Sequence, residues 1–111
     1  MKLAIIGSRT IENINLEEYI DQSVTEIVSG GARGVDTLAR KFAIKNSIKI
    51  VEFLPDYKRY GRGATIVRNR EIVDYADKIL VFWDGESRGS KFVIDYANKI
   101  NKPCEVVILE P

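Results

Sequence analysis

The residues Glu26-Ile27-Val28-Ser29-Gly30-Gly31-Ala32-Arg33-Gly34-Val35-Asp36 pass from an apolar run through a glycine-rich loop into a stretch with helical spacing. The run from Glu26 to Ser29 has the length and the branched residues of a buried strand. Glycine lets backbone N–H groups approach a phosphate, and a helix that begins directly after the loop presents its unpaired N–H groups to it. The stretch therefore predicts a strand, a loop of the kind that binds phosphate, and a helix, in that order.

The same strand-then-helix pattern extends over the rest of the chain. Apolar runs predict further strands at Lys2–Ile6, Ile48–Leu54, Lys78–Trp83 and Cys104–Leu109, and apolar residues at helical spacing predict helices around 16–20, 35–43, 66–73 and 92–100. Strict alternation implies parallel strands joined by right-handed crossovers. We predict an α/β fold: a Rossmann-like doubly wound five-stranded parallel sheet of order 3-2-1-4-5 with helices on both faces, forming a single domain over residues 1–111.

Composition excludes several classes of protein. The chain has 111 residues, one cysteine, no histidine and a net charge of +1. The single cysteine rules out an internal disulfide, and together with the short first apolar run it favours a cytoplasmic protein. Without histidine the commonest nucleophile systems and the commonest metal ligand are missing, and we expect no metal site. No apolar segment is long enough for a membrane span, and a balanced charge argues against strong general attraction to DNA or membranes.

Glycines and arginines both collect in the loops that follow strands 1 to 4. All eight glycines lie there, and so do most arginines, with Arg68 and Arg70 close behind and only Arg40 elsewhere. In open parallel sheets ligands bind beyond the carboxyl ends of the strands, where the winding reverses. Because the guanidinium fork suits phosphate or carboxylate, this end of the sheet is predicted to hold an anion. Two purely structural explanations remain open. A Gly-Gly pair can be only a tight turn, and loop arginines can form ion pairs with nearby aspartates.

Known nucleotide fingerprints are not present. The chain contains neither G-x-G-x-x-G nor G-x-x-x-x-G-K-[ST], which disfavours an ordinary dinucleotide dehydrogenase or a P-loop NTPase. Its loop sequences nevertheless resemble the SLOG superfamily over nearly the whole chain, and the small stand-alone YspA or YpsA-related branch most closely. The resemblance rests on Gly7-Ser8-Arg9, the stretch from Val28 to Asp36, Tyr60-Gly61-Arg62, Arg68-Asn69-Arg70-Glu71, Ala76-Asp77, Phe82-Trp83-Asp84-Gly85 and Ser87-Arg88-Gly89-Ser90.

Relatives in that superfamily suggest three functions. The resemblance implies binding or sensing of a nucleotide or nucleotide-derived ligand, which can include NAD- or ADP-ribose-derived compounds. The LOG phosphoribohydrolases imply an N-glycosidic or phosphoribosyl hydrolase as the alternative, with Arg68, Asp84 and Glu86 as candidate catalytic residues. Val93 stands where the LOG motif has its catalytic glutamate, which weakens that reading, because valine cannot activate water. The S-G-x-A-R-G-x-D and R-N-R segments resemble DprA, which implies single-stranded DNA binding as a third possibility.

We expect binding rather than catalysis, with a phosphate cradle formed by the loops. Arg33 is expected to face the ligand, whereas Asp36 is expected to be chiefly structural, because a carboxylate in the first helical turn accepts loop N–H groups. Asp84 is expected to bind a sugar hydroxyl. A homodimer is a further possibility, since relatives commonly pair through helices. The predicted ligand-binding residues are Gly7, Ser8, Arg9, Ser29, Gly30, Gly31, Arg33, Gly34, Arg62, Arg68, Asn69, Asp84, Gly85, Ser87, Gly89 and Ser90.

Overall fold

A computed structural model describes residues 1–11, 13–31 and 33–109, so that Ala32 of the glycine-rich stretch lies outside the described residues. Its centre is a five-stranded sheet whose order is β3-β2-β1-β4-β5. All four strand pairings are parallel. This confirms the predicted fold class and strand order. The strands are β1 (Lys2–Gly7), β2 (Glu26–Ser29), β3 (Lys49–Glu52), β4 (Lys78–Trp83) and β5 (Cys104–Ile108).

In the part of the chain that the structure describes, four α-helices and two 3₁₀ turns connect the strands. The helices are α1 (Val35–Lys45), α2 (Tyr57–Tyr60), α3 (Ala64–Tyr75) and α4 (Arg88–Lys99), and the turns are Leu16–Glu18 and Gly61–Gly63. The prediction of a helix around 16–20 is wrong, because the structure forms only the 3₁₀ turn Leu16–Glu18 there. The connection from β3 to α3 contains α2 and the second 3₁₀ turn. None of the helices in the described ranges has the length and apolar character to span a bilayer.

The sheet has a hydrophobic core on each face. On one face α1 places Val35, Ala39 and Ala43 against β1 and β2, and Leu16 of the first 3₁₀ turn joins this core. On the other face α3 and α4 bury residues such as Ile72 and Val93 against β1 and β4. The predicted placement of helices on both faces is therefore confirmed. The crossovers diverge between β1 and β4, which makes the carboxyl ends of these two strands the topological switch point.

A close contact between the end of β1 and the start of α1 sets the position of the glycine-rich loop. A Cβ added to Gly7 would lie 2.2 Å from Cγ2 of Val35, so only a glycine lets the helix approach the strand this closely. Gly34 has φ +74° and its added Cβ would lie 3.0 Å from the carbonyl oxygen of Arg9. The loop after β2 is thereby pressed against the loop after β1, and both loops reach the same end of the sheet.

We predict that Gly7→Ala lowers the free energy of unfolding by about 1–3 kcal/mol, as expected for overpacking a buried site. The added methyl group must displace Val35, which is fully buried. Urea titration followed by circular dichroism measures the change. Gly63→Ala is the matched control, because nothing lies within 4 Å of a Cβ at that position and its φ is −82°. An equal loss of stability in both variants would contradict the proposed cause.

Candidate functional site

A cleft of about 540 Å³ opens at the carboxyl end of the sheet, over the switch point between β1 and β4. Its floor contains Ile6 and Gly7 of β1, Gly30 after β2 and Ile72 of α3. Its rim combines the loop after β1, the loop after β4 and facing residues of α3 and α4. The remaining lining residues are Ser8, Arg9, Thr10, Asp36, Thr65, Ile66, Arg68, Asn69, Asp84, Ser87, Arg88, Gly89, Ser90 and Phe92.

Asp84 joins the two loops that flank the switch point. Its Oδ1 accepts hydrogen bonds from the backbone N–H groups of Glu86 at 2.9 Å and Ser87 at 2.8 Å, and its Oδ2 accepts one from the Thr10 hydroxyl at 3.1 Å. These donors, the two backbone N–H groups first, lower the pKa of Asp84 to about 2. The carboxylate is therefore charged at neutral pH and already occupied with the protein's own donors.

Ser8 strengthens the same junction from the side of β1. Its backbone N–H continues the pairing with β4 by donating to the carbonyl of Phe82 at 3.0 Å, and its hydroxyl accepts from the backbone N–H of Asp84 at 3.2 Å. Ser8 is 2% exposed, so these bonds are shielded from water. The loop after β4 is further fixed by the Trp83 indole, which donates to the carbonyl of Ser87 at 3.0 Å. The rim of the cleft is thus held in place by hydrogen bonds.

Arg68 of α3 is half-buried and reaches toward the ends of β2 and β3. Its Nη1 donates to the carbonyls of Gly30 at 2.8 Å and Phe53 at 3.4 Å, and its Nε donates to Oδ1 of Asn69 at 2.8 Å. Burial is the main cause that lowers the pKa of Arg68, and the carboxylate of Asp36 opposes this effect. The guanidinium remains charged at any physiological pH. Arg68 therefore connects α3 with two strands and also presents positive charge to the cleft.

Charges of both signs surround the cleft. Arg9, Arg68 and Arg88 supply three cations, and Asp36 and Asp84 supply two carboxylates. Arg9 is close enough to Arg68 to lower the pKa of the latter by repulsion. Asp36 lies in the first turn of α1 and is 8% exposed. An anion can therefore meet guanidinium groups here.

The structure brings together ten of the sixteen residues predicted to bind a ligand. Those lining the cleft are Gly7, Ser8, Arg9, Gly30, Arg68, Asn69, Asp84, Ser87, Gly89 and Ser90. The other six, Ser29, Gly31, Arg33, Gly34, Arg62 and Gly85, do not line it, and neither does the candidate catalytic residue Glu86.

The reasons for these exclusions are local. Gly31 has φ +68° and its added Cβ would lie 2.7 Å from Leu54, which places it toward β3. Ser29 is fully buried, and its hydroxyl accepts from the backbone N–H of Gly31 at 3.3 Å. Arg33 and Arg62 are exposed. Among the described residues of the loop after β2, Gly30 is the one that lines the cleft.

Sequence reasoning missed the contribution of the helices to the cleft walls. The cleft is lined by Thr65, Ile66, Asn69 and Ile72 of α3 together with Gly89 and Phe92 of α4, and of these six residues Asn69 and Gly89 were predicted. The spacing of 65, 69 and 72 matches one helical face and could have identified this wall. Thr10 was not predicted either, and Asp36, which the sequence predicts to be chiefly structural, also lines the cleft.

Comparison with known families gives a match to part of the chain. The family model described as DNA recombination-mediator protein A matches residues 1–59, which is just over half of the chain. No curated protein and no solved structure gave a match. The matched part contains β1, β2, α1 and β3, and therefore the side of the cleft formed by Ile6–Thr10, Gly30 and Asp36. The side formed by α3, the loop after β4 and α4 lies outside the matched residues.

We predict that Asp84 makes the fold sensitive to acid. The pKa of Asp84 is depressed in the folded state, so its stabilising effect is complete above the ordinary value near 3.8 and is lost as the pH falls toward about 2. Asp84→Asn should lower the thermal midpoint at neutral pH and flatten its decline between about pH 4 and pH 2. Thermal unfolding monitored by circular dichroism tests this. Glu86→Gln removes an exposed carboxylate from the same loop and is the control; an unchanged pH profile for Asp84→Asn would refute the assignment.

Proposed function

Because the chain belongs to the DNA recombination-mediator protein A family, we propose that its cleft binds a nucleotide or a nucleotide-derived phosphate compound. The observation that carries this proposal is the meeting of Arg9, Arg68 and Arg88 with an apolar wall in one cleft at the switch point. Cations recognise phosphate, and an apolar wall suits a planar base. A volume of about 540 Å³ is within the range of small-molecule sites.

The proposal is binding rather than hydrolysis. An N-glycosidic hydrolase needs a carboxylate that is free to act on water or on the sugar centre. Asp84 already accepts hydrogen bonds from Thr10 and from two backbone N–H groups, and Glu86 does not line the cleft. Val93, at the position of the LOG glutamate, is fully buried in the core. These placements favour a site that retains its ligand. We also propose the SLOG-type relationship, which rests on the loop sequences and on segments such as Arg68-Asn69-Arg70.

We expect nucleoside monophosphates to bind more tightly than the corresponding nucleosides, because only the former carry the phosphate that the guanidiniums would meet. Arg9→Ala and Arg88→Ala should each weaken binding of AMP or UMP roughly tenfold, the usual magnitude for a hydrogen bond to a charged group. Isothermal titration calorimetry measures the affinities. Arg33→Ala is the matched control, since Arg33 is exposed and lies outside the cleft.

Two results would count against this proposal. Equal affinities for a nucleoside and its nucleotide would mean that the site does not bind the phosphate. A large loss in Arg33→Ala with no loss in Arg9→Ala would place the ligand on the loop after β2 and away from the loop after β1. Chromatography of the same samples detects free base, and its release would indicate the hydrolase instead.

Single-stranded DNA is the second candidate ligand, favoured by a surface beside the cleft. Tyr57 and Tyr60 of α2 are 58% and 39% exposed, and Lys58, Arg59 and Arg62 are exposed beside them. A smaller hollow of about 270 Å³ next to α2 shares Arg68 with the cleft. Exposed aromatic rings and basic side chains together suit a strand whose bases stack while its phosphates pair with cations.

If this surface binds a strand, an oligothymidylate should bind at low salt, and its affinity should fall steeply as salt is added. Tyr60→Ala should then weaken binding by roughly fivefold or more, as expected for one lost stacking contact. Tyr60→Phe keeps the ring and should bind like the unmodified protein. Fluorescence anisotropy with a labelled oligonucleotide measures both variants, and affinity that is insensitive to salt would exclude this candidate.

A further inference from the structure

Asn69 is a polar side chain at the middle of the α3 wall of the cleft, and a neighbour fixes its orientation. Arg68 Nε donates a hydrogen bond to Asn69 Oδ1 at 2.8 Å. The Nε–H of an arginine can only donate, so the amide must turn its oxygen toward Arg68. The amide nitrogen, which carries two donor hydrogens, is consequently directed away from Arg68.

The amide nitrogen faces α4 across the cleft. Nδ2 of Asn69 is the nearest atom to a Cβ placed on Gly89, at 4.0 Å. Within residues 1–11, 13–31 and 33–109, no hydrogen bond is formed by this nitrogen. It therefore offers two donor hydrogens to a molecule in the cleft.

Arg68 cannot easily release the amide, because it is itself anchored to the sheet. Its Nη1 donates to the carbonyls of Gly30 and Phe53, at the ends of β2 and β3. A rotated amide would place two donors, Arg68 Nε–H and Asn69 Nδ2–H, against each other. The sheet thus fixes Arg68, and Arg68 fixes the face that Asn69 shows to the cleft.

The surroundings of the amide suit the edge of a base. Ile66 lies one helical turn before Asn69 on α3, and Phe92 lies one turn after Gly89 on α4; both line the cleft. Apolar side chains on the two helices can cover the faces of a planar ring, while the amide between them reaches its edge. A phosphate would then lie nearer the guanidinium of Arg9, which the loop after β1 contributes to the cleft.

We propose that Asn69 determines base specificity by donating to a hydrogen-bond acceptor, so that the cleft prefers nucleotides with a keto group to their amino counterparts. The inference rests on the proposed nucleotide function and deepens it. A keto oxygen accepts a hydrogen bond from the fixed amide of Asn69. An amino group at the same position of the base is itself a donor, so that neither it nor the amide nitrogen would have a hydrogen-bond partner. Arg68 acts here as a positioning residue.

Matched pairs of ligands and one isosteric variant test the proposal. Inosine monophosphate should bind roughly tenfold more tightly than AMP, and UMP roughly tenfold more tightly than CMP. Asn69→Asp keeps an acceptor for Arg68 Nε and nearly the same shape, but replaces the donor with a carboxylate oxygen. It should therefore reverse both preferences. Asn69→Leu, which has neither group, should abolish them, and thermal midpoints check that both variants are folded.

Each outcome gives a distinct answer. Reversal of the keto-to-amino ratio in Asn69→Asp supports the proposal, since a purely structural role would change all four affinities together and leave their ratios unchanged. Tight binding of all four nucleotides with unchanged ratios in every variant would overturn the role of Asn69 and leave the nucleotide site standing. Failure of all four to bind the unmodified protein would overturn both.

Discussion

The contact between Gly7 and Val35 is the constraint on which the candidate site depends. Because Gly7 has no side chain, the first residue of α1 packs directly on the end of β1. This contact sets the height at which α1 begins, and Gly34 then packs against the backbone of Arg9 and Ile11. The loops after β1 and β2 are brought to a common level by this packing, and Gly30 and Asp36 reach the cleft beside Arg9. A larger residue at position 7 would separate these groups.

The polar residues around the cleft divide into two kinds. Three of them, Ser8, Arg68 and Asp84, form hydrogen bonds within the protein and thereby hold the rim in place. Arg9 and Arg88 are instead exposed at the rim. A charged residue in one of these loops is therefore not automatically a ligand contact. Asp84 illustrates this point, because its two oxygens meet three donors from the loops after β1 and β4.

Much of the fold could be predicted from the sequence, because apolar runs alternate with helical patterns and crossovers between parallel strands have one hand. The helix around 16–20 could not, since Leu16, Tyr19 and Ile20 pack in the core whether or not a full helix forms around them. The carboxyl ends of the strands correctly predicted the position of the cleft. The loop sequences did not predict which residues of each loop line it. Gly31 has a positive φ and lies against Leu54, just after β3, and Arg33 does not line the cleft.

The hydrogen bonds that fix Arg68 and Asn69 also affect the entropy of association. An arginine or asparagine that is ordered only when a ligand arrives loses rotamer freedom, at a cost of about 0.5–1.5 kcal/mol for each immobilised side chain. For Arg68 and Asn69 that loss has already occurred during folding, through bonds to Gly30, to Phe53 and to each other. The α3 wall is therefore preorganised. Arg9 and Arg88, by contrast, would lose their rotamer freedom only when a ligand binds.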